Sequence, residues 1–295
     1  MLDLSHIPNS QQDVKIFYSN GITNSWQTWN KPRKCNYVWI MCIGGAGGGA
    51  GGSNSTSSPS SGGGSGAVLR ALYNAQQLPD TLYVQVGLGG AGGTPGVNGS
   101  PGTRSWVGLQ PAIVAQNMLI GSATTGNAAA GGIANTGGSV NGEIAGTQAT
   151  ATFLTLSNFI GTSGQVSPVF TTANVTPLTS QITCAGAAGG HYNPGSLPAG
   201  NIFSSSLSPF ISGGINTSSS GSNGTNGGDG ITSYKPFYSL GGAGGGAALS
   251  GSGGNGGAGG IGSGGGAGGS GNGTLGYTGG RGGKGGDGIV IIISF

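Results

Sequence analysis

Charge is the scarcest property of this chain. Nine basic and six acidic residues in 295 make it only 5% charged, with a formal net charge of +3. That is too little positive charge to form the electrostatic footprint of a nucleic-acid binder. It is also too little charge of either sign for the solvated disorder that Gly- and Ser-rich chains often adopt. Lys31, Arg33 and Lys34 form the one basic cluster and, beside Pro32, read as a solvated turn. Histidine is almost missing, with His6 and His191 alone. The six acids, Asp3, Asp13, Asp80, Glu143, Asp229 and Asp287, are scattered, and no two lie close enough in sequence to announce an acid–base pair. No GxSxG elbow leads from a strand into a helix. The expectation is a protein that is not an enzyme and holds no metal or cofactor.

Cys35, Cys42 and Cys184 are an odd number without CxxC or Cys/His spacing, which implies neither a disulfide framework nor a zinc site. Cys42 lies inside an apolar run and reads as a small core hydrophobe. Long apolar stretches are also missing, so no membrane-inserted helix is expected. The opening MLDLSHIPNSQQDV has neither the basic start nor the apolar run of a signal peptide, and the expectation is a soluble protein made in a cytoplasm. Long apolar patterns of period 3.6 are absent as well, which leaves room for few or no α-helices.

What the chain has is glycine, 71 residues of it, with a period of three. One register runs Gly87, Gly90, Gly93, Gly96, Gly99, Gly102, and another Gly221, Gly224, Gly227, Gly230. The longest is Gly253, Gly256, Gly259, Gly262, Gly265, Gly268, Gly271, and the last is Gly279, Gly282, Gly285, Gly288. Three residues per turn is the repeat of polyproline II, whose backbone makes no internal hydrogen bonds. Such helices must bond laterally when buried. A glycine every third residue clears one face for that approach, and a GGx repeat clears two. Proline is sparse in the arrays and the registers are interrupted, so a bundle fits better than a collagen triple helix. At about 3.1 Å per residue, the array 253–273 would span about 65 Å unbroken, or half that as a hairpin.

Short β-branched and aromatic runs read as strands: VKIFY (14–18), YVWIMCI (37–43), AVLRALY (67–73), TLYVQV (81–86) and IVIIISF (289–295). QATATFLTL (148–156) and FTTANVTPLTSQITC (170–184) read similarly. Three of the runs abut glycine arrays directly. The expected fold is all-β: a small β-sandwich-like core whose glycine-rich loops form a polyglycine/polyproline II bundle. The chain divides into N-terminal core strands (1–43), arrays with two core strands (44–106), a varied insertion (107–240), and a closing bundle and strand (241–295).

Gly87-Leu88-Gly89-Gly90-Ala91-Gly92 matches GxGxxG, but TPGVNGSPG follows it where a dinucleotide site needs a helix. GGRGGKGG lacks the spacing of a phosphate loop. Sequons such as those at Asn54 and Asn174 follow from an Asn/Ser-rich composition. Aromatic residues beside glycine or proline are contact candidates: His191, Tyr192, Tyr234, Phe237, Tyr238 and Tyr277. The competing reading is that they seal the bundle's ends. In the closing GGRGGKGGDGIVIIISF, the register places Arg281, Lys284 and Asp287 on one outer stripe.

Trp26-Gln27-Thr28-Trp29-Asn30-Lys31-Pro32, then YVWIMCIGGAGGGAGG, then LPDTLYVQVGLGG (78–90), and the close GGRGGKGGDGIVIIISF stand in the order seen in a known module. The chain resembles the glycine-rich domain of bacteriophage tail-fibre and related virion proteins over roughly residues 14–106 and 241–295. Its arrays also resemble the polyglycine bundles of long-tail-fibre adhesins and of a glycine-rich antifreeze protein. The resemblance implies a virion protein exposed on a tail fibre or particle surface. Its expected partners are other virion proteins and a host surface glycan or protein, and a homotrimer is one assembly it allows. The alternatives it leaves are a minor capsid or fibre-cementing protein without receptor binding, and an ice-binding protein.

Overall fold

The computed structural model describes residues 13–56, 58–112, 117–122, 129–135, 155–158, 174–176, 182–192, 198–202, 210–235 and 237–295. The described residues contain strands and two short 3-10 turns, and no α-helix. Five expected strands form close to where the sequence puts them: β1 (Asp13–Tyr18), β3 (Tyr37–Ile43), β4 (Val68–Asn74), β5 (Thr81–Gln85) and β11 (Ile289–Ser294). The others are β2 (Trp26–Asn30), β6 (Trp106–Gly108), β7 (Met118–Gly121), β8 (Thr155–Asn158), β9 (Thr232–Tyr234) and β10 (Phe237–Ser239). Most are only three to five residues long, too short to carry a period of their own. The run 148–156 reaches the described residues only where β8 begins. Within 170–184, Val175 makes an isolated bridge to Ile202, while Cys184 opens a glycine-type array instead of ending a strand. Residues 148–154, 170–173 and 177–181 of these runs lie outside the described residues.

The strands form two antiparallel sheets, ordered β1-β11-β3-β4-β8 and β2-β5-β6-β7, with β9 and β10 as a separate hairpin. Val38, Ile40, Cys42, Leu69, Tyr73, Val290 and Ile292 of the first sheet pack against Trp29, Leu82, Val84, Val107 and Ile120 of the second. That is the expected sandwich. The first sheet is also covered on its other face, where Trp39, Met41, Ile43, Ile289, Ile291 and Ile293 meet Phe237, Ile182 and Ile261. Burial on both faces is why YVWIMCI and IVIII are continuous apolar runs rather than alternating ones.

The three cysteines are reduced, and Cys42 and Cys184 are buried while Cys35 is half-buried. Burial pushes the Cys184 thiol from 9.0 up to about 12, a hydrogen bond to the Gly241 backbone opposing it slightly. Cys184 therefore stays a thiol at pH 8, and the thiolate is the reactive form. Alkylation of the native protein with iodoacetamide should label Cys35 alone, and urea should expose all three; rapid native labelling of Cys184 would contradict its burial.

From one end of the sandwich the arrays emerge as a bundle. Array 44–53 shows the rule in its donors. Gly45, Gly48 and Gly51 donate to Thr103, Ser100 and Val97; Ala46, Gly49 and Gly52 to Gly286, Gly283 and Gly280; Gly47 and Ala50 to Gly64 and Ser61, all at 2.8–3.1 Å. Its carbonyls accept from three further segments, through Gly90 and Gly93, Gly265 and Gly268, and Gly132. A donor direction that recurs every third residue is a three-fold helix. This one is surrounded on all sides by others of the same chain.

Array 262–272 is bonded the same way. It donates to Cys184, Ala187 and Gly190, to Gly47, Ala50 and Ser53, and to Gly254 and Gly257. It accepts from Gly63 and Gly66, from Gly242 and Gly245, and from Gly280 and Gly283. The lateral partners left open by the sequence therefore lie within one chain for both arrays.

The glycine registers are bundle contacts for the most part. A Cβ built on Gly87, Gly90 or Gly93 would strike the carbonyls of Thr103, Ser100 or Val97, and one on Gly99 or Gly102 those of Gly48 or Gly45. Cβ atoms on Gly253, Gly256 and Gly259 would strike Gly269, Gly266 and Ser263, and those on Gly265, Gly268 and Gly271 would strike Gly283, Gly280 and Thr278. Three members are not packing positions in that sense: Gly96 (φ 73°), Gly221 (φ 73°) and Gly262 (φ 63°) are left-handed turn residues, in a backbone region that side chains disfavour. The array 253–273 is accordingly a hairpin that turns at Ile261–Gly262, and not one long rod.

Candidate functional site

Array direction decides what the far end of the bundle presents. Arrays 44–53, 87–95, 240–249 and 262–272 leave the sandwich; 97–105, 251–261 and 278–288 return to it. The turns joining them meet at the distal end. Gly96 N–H donates to Gly52, and Asn135 Nδ2 to Gly96. Gly273 N–H donates to the Asn54 carbonyl and Gly279 N–H to its side chain, at 2.6 and 2.9 Å. Asn272 Nδ2 donates to Leu249, whose own N–H donates to Thr217, and Gly221 N–H donates to Ser250. The result is one continuous cap of turns, 54–56, 94–97, 217–222, 249–252 and 272–278.

This cap has a distinct chemistry. None of its residues is ionisable at neutral pH: it consists of Ser, Thr, Asn, Gly, Pro, Tyr277 and three apolar side chains. Those three are exposed, Val97 by 53%, Leu249 by 38% and Leu275 by 58%. Sequence reasoning missed them because a lone apolar residue in a Gly/Ser-rich turn carries no period. Their signal is that each sits where a glycine register breaks, as Leu275 does beside the left-handed Gly276.

The six aromatic-type candidates do not come together. Tyr192 and Tyr277 are half-buried at the distal end, and Tyr192 N–H donates to Thr56 at 2.7 Å. His191 is buried, which removes it from any exposed contact surface. Burial pushes its imidazole below the ordinary 6.5, against a hydrogen bond to the Gly189 backbone, so the ring is neutral at pH 7. Tyr234, Phe237 and Tyr238 lie at the opposite end, on the hairpin of β9 and β10. Phe237 is packed on the first sheet, and Tyr238 beside Leu240 and Ala243. Tyr234 is exposed and edge-on to Phe237, with its hydroxyl 3.4 Å from that of Tyr18. Partial burial, then the bond to and charge of Tyr18, push the Tyr234 hydroxyl to about 12. Phe237 and Tyr238 are thus packing residues in part, while Tyr234 stays exposed beside them.

The side of the bundle is closed by side chains. Asn223, Asn226, Asp229 and Thr232 accept from the N–H groups of Ser252, Asn255, Ala258 and Ile261 at 2.7–2.9 Å. Each spacing is again three residues. Asn255 in turn accepts from Arg281 N–H at 2.8 Å. These acceptors satisfy amides that have no further array to bond, so the bundle does not keep adding chains at that edge. Arg281 and Lys284 point outward as the register requires, but Asp287 is engaged: it accepts from Gly89 N–H and from Lys284 Nζ. Among the described residues no cluster of His, Cys, Asp and Glu could hold a metal ion. No curated protein matches the chain. Residues 22–294 match the family described as glycine-rich domain, and the chain belongs to that family.

Proposed function

We propose that this member of the glycine-rich domain family is a non-enzymatic virion protein of a tail fibre or spike, whose bundle cap contacts the host surface. One observation carries the reading: a laterally bonded bundle ends in a continuous cap of short turns that is uncharged and exposes Val97, Leu249 and Leu275. A rigid array supplies loops that lose little entropy on binding. Contact residues concentrate on loops held by such scaffolds. Attachment to other virion proteins falls to the sandwich, where Val14, Ile16, Tyr37 and Phe295 leave an apolar strip exposed. That strip also supports the second reading, a capsid or fibre-cementing protein held from this end alone.

The test is adsorption of the purified protein to host cells. Leu275→Asp should lower binding at least tenfold while leaving thermal unfolding unchanged, since Leu275 packs on nothing in the core. Binding should also vary little between 50 and 300 mM salt, because the cap has no charge for salt to screen. Normal binding by the Leu275→Asp and Val97→Asp variants would remove the cap as the contact surface, and no binding by the folded, unaltered protein would leave the cementing reading standing alone.

A further inference from the structure

A second candidate site lies where the bundle meets the sandwich. A groove of about 480 Å³ is walled by Tyr18 and Ser19 on one side and floored by residues 258–261 and 284–288. The side-chain ladder explains what this groove contains. Along array 278–288 the amide at position 281 is closed by the side chain of Asn255. One turn on, Lys284 N–H faces position 258, and a further turn on, Asp287 N–H faces position 261. The carbonyls confirm that alignment, because Gly256, Gly259 and Gly262 donate to Arg281, Lys284 and Asp287 in strict succession. Positions 258 and 261 hold Ala and Ile, which have no side-chain acceptor. No acceptor among the described residues closes the Lys284 and Asp287 amides, and both residues line the groove.

We propose that this groove binds a short neutral oligosaccharide. The two amides, one helical turn or about 9 Å apart, are fixed donors for hydroxyl or ring oxygens. The Asp287 carboxylate, held by Gly89 N–H at 2.8 Å, is an acceptor for sugar hydroxyls. Lys284 Nζ adds a donor and, paired with Asp287 at 2.9 Å, leaves the groove without net charge, which disfavours acidic sugars. Half-exposed Tyr18 offers an aromatic face to the apolar side of a sugar ring. The volume is within the range of small-ligand sites. This site is separate from the cap and does not depend on what the cap contacts.

The experiment is 15N NMR of the full chain, titrated with maltotriose, cellotriose and chitotriose, each to 10 mM, and with sialyllactose as the acidic comparison. At least one neutral trisaccharide should shift the Lys284 and Asp287 amides while the Arg281 amide stays still, with weaker shifts from sialyllactose. Ala258→Asn copies the arrangement at Asn255 and should close the Lys284 amide, slowing its hydrogen exchange at least tenfold and weakening binding at least fivefold. Tyr18→Ala should weaken binding as much without altering that exchange. The proposal is overturned if no neutral trisaccharide moves either amide, or if binding is unchanged in both variants. A Lys284 amide that exchanges as slowly as that of Arg281 in the unaltered protein would overturn its geometric basis.

Discussion

Gly282→Val is expected to destroy the bundle, whereas Lys284→Ala, two residues away, should leave stability within about 0.5 kcal/mol. A Cβ at Gly282 would lie on the Gly49 carbonyl, inside the 3.0 Å that real Cβ atoms respect. To relieve it, arrays 44–53 and 278–288 must part. That breaks the bonds from Gly49 N–H to Gly283 and from Gly52 N–H to Gly280, at 2.9 and 2.8 Å. Buried groups left unpaired cost about 1–3 kcal/mol each, and forcing side-chain volume into a packed interior costs about 1–3 more. The sum, about 5 kcal/mol, is comparable with the whole stability of an ordinary domain. Lys284 is exposed, and its ion pair with Asp287 is a surface one of little value. Urea unfolding of the two variants checks this; equal losses would mean that the register is wrong.

Ile40→Ala is expected to cost about 2–5 kcal/mol and to loosen the bundle together with the sandwich. Ile40 is fully buried between the two sheets, in register with Ile292 and Ala71. Arrays 44–53 and 278–288 are direct continuations of β3 and β11, so their relative positions are set by strand pairing. Ordering glycine costs roughly 0.5–1 kcal/mol more per residue than ordering alanine, close to the net value of about 1 kcal/mol for a lateral hydrogen bond. The bundle therefore has little stability of its own and depends on the sandwich to hold its ends. Hydrogen exchange should show amides such as Gly48 and Gly266 accelerating in step with those of β3. Bundle amides that stay protected while β3 opens would show two independent folding units.

The expected strand β3 coincides with the observed one, Tyr37–Ile43, because a strand buried on both faces must be apolar without interruption. The GGx register at 279–288 was equally legible, since excluding Cβ from two faces leaves glycine as the only residue that fits. The ladder was written in the sequence too, as Asn223, Asn226, Asp229 and Thr232 at intervals of three. Its meaning was not, because acceptors and amides are 29 residues apart in the chain. His191 and Tyr192 are adjacent in sequence, yet one is buried and the other half-exposed, a difference that only packing sets.

The sequence by itself determined the class of structure: too little charge for disorder, too little helical period for helices, and a glycine period that demands lateral hydrogen bonds. It also marked which residues stay bare, because a glycine at every third position labels the faces that other arrays approach. The tertiary structure alone decided which arrays are neighbours, where Gly96 and Gly262 reverse the chain, and that Val97, Leu249 and Leu275 share one cap. Backbone hydrogen bonds between three-fold helices are chemically identical whichever array supplies them. A glycine repeat therefore specifies that partners exist without specifying which, and the strands of the sandwich choose among them.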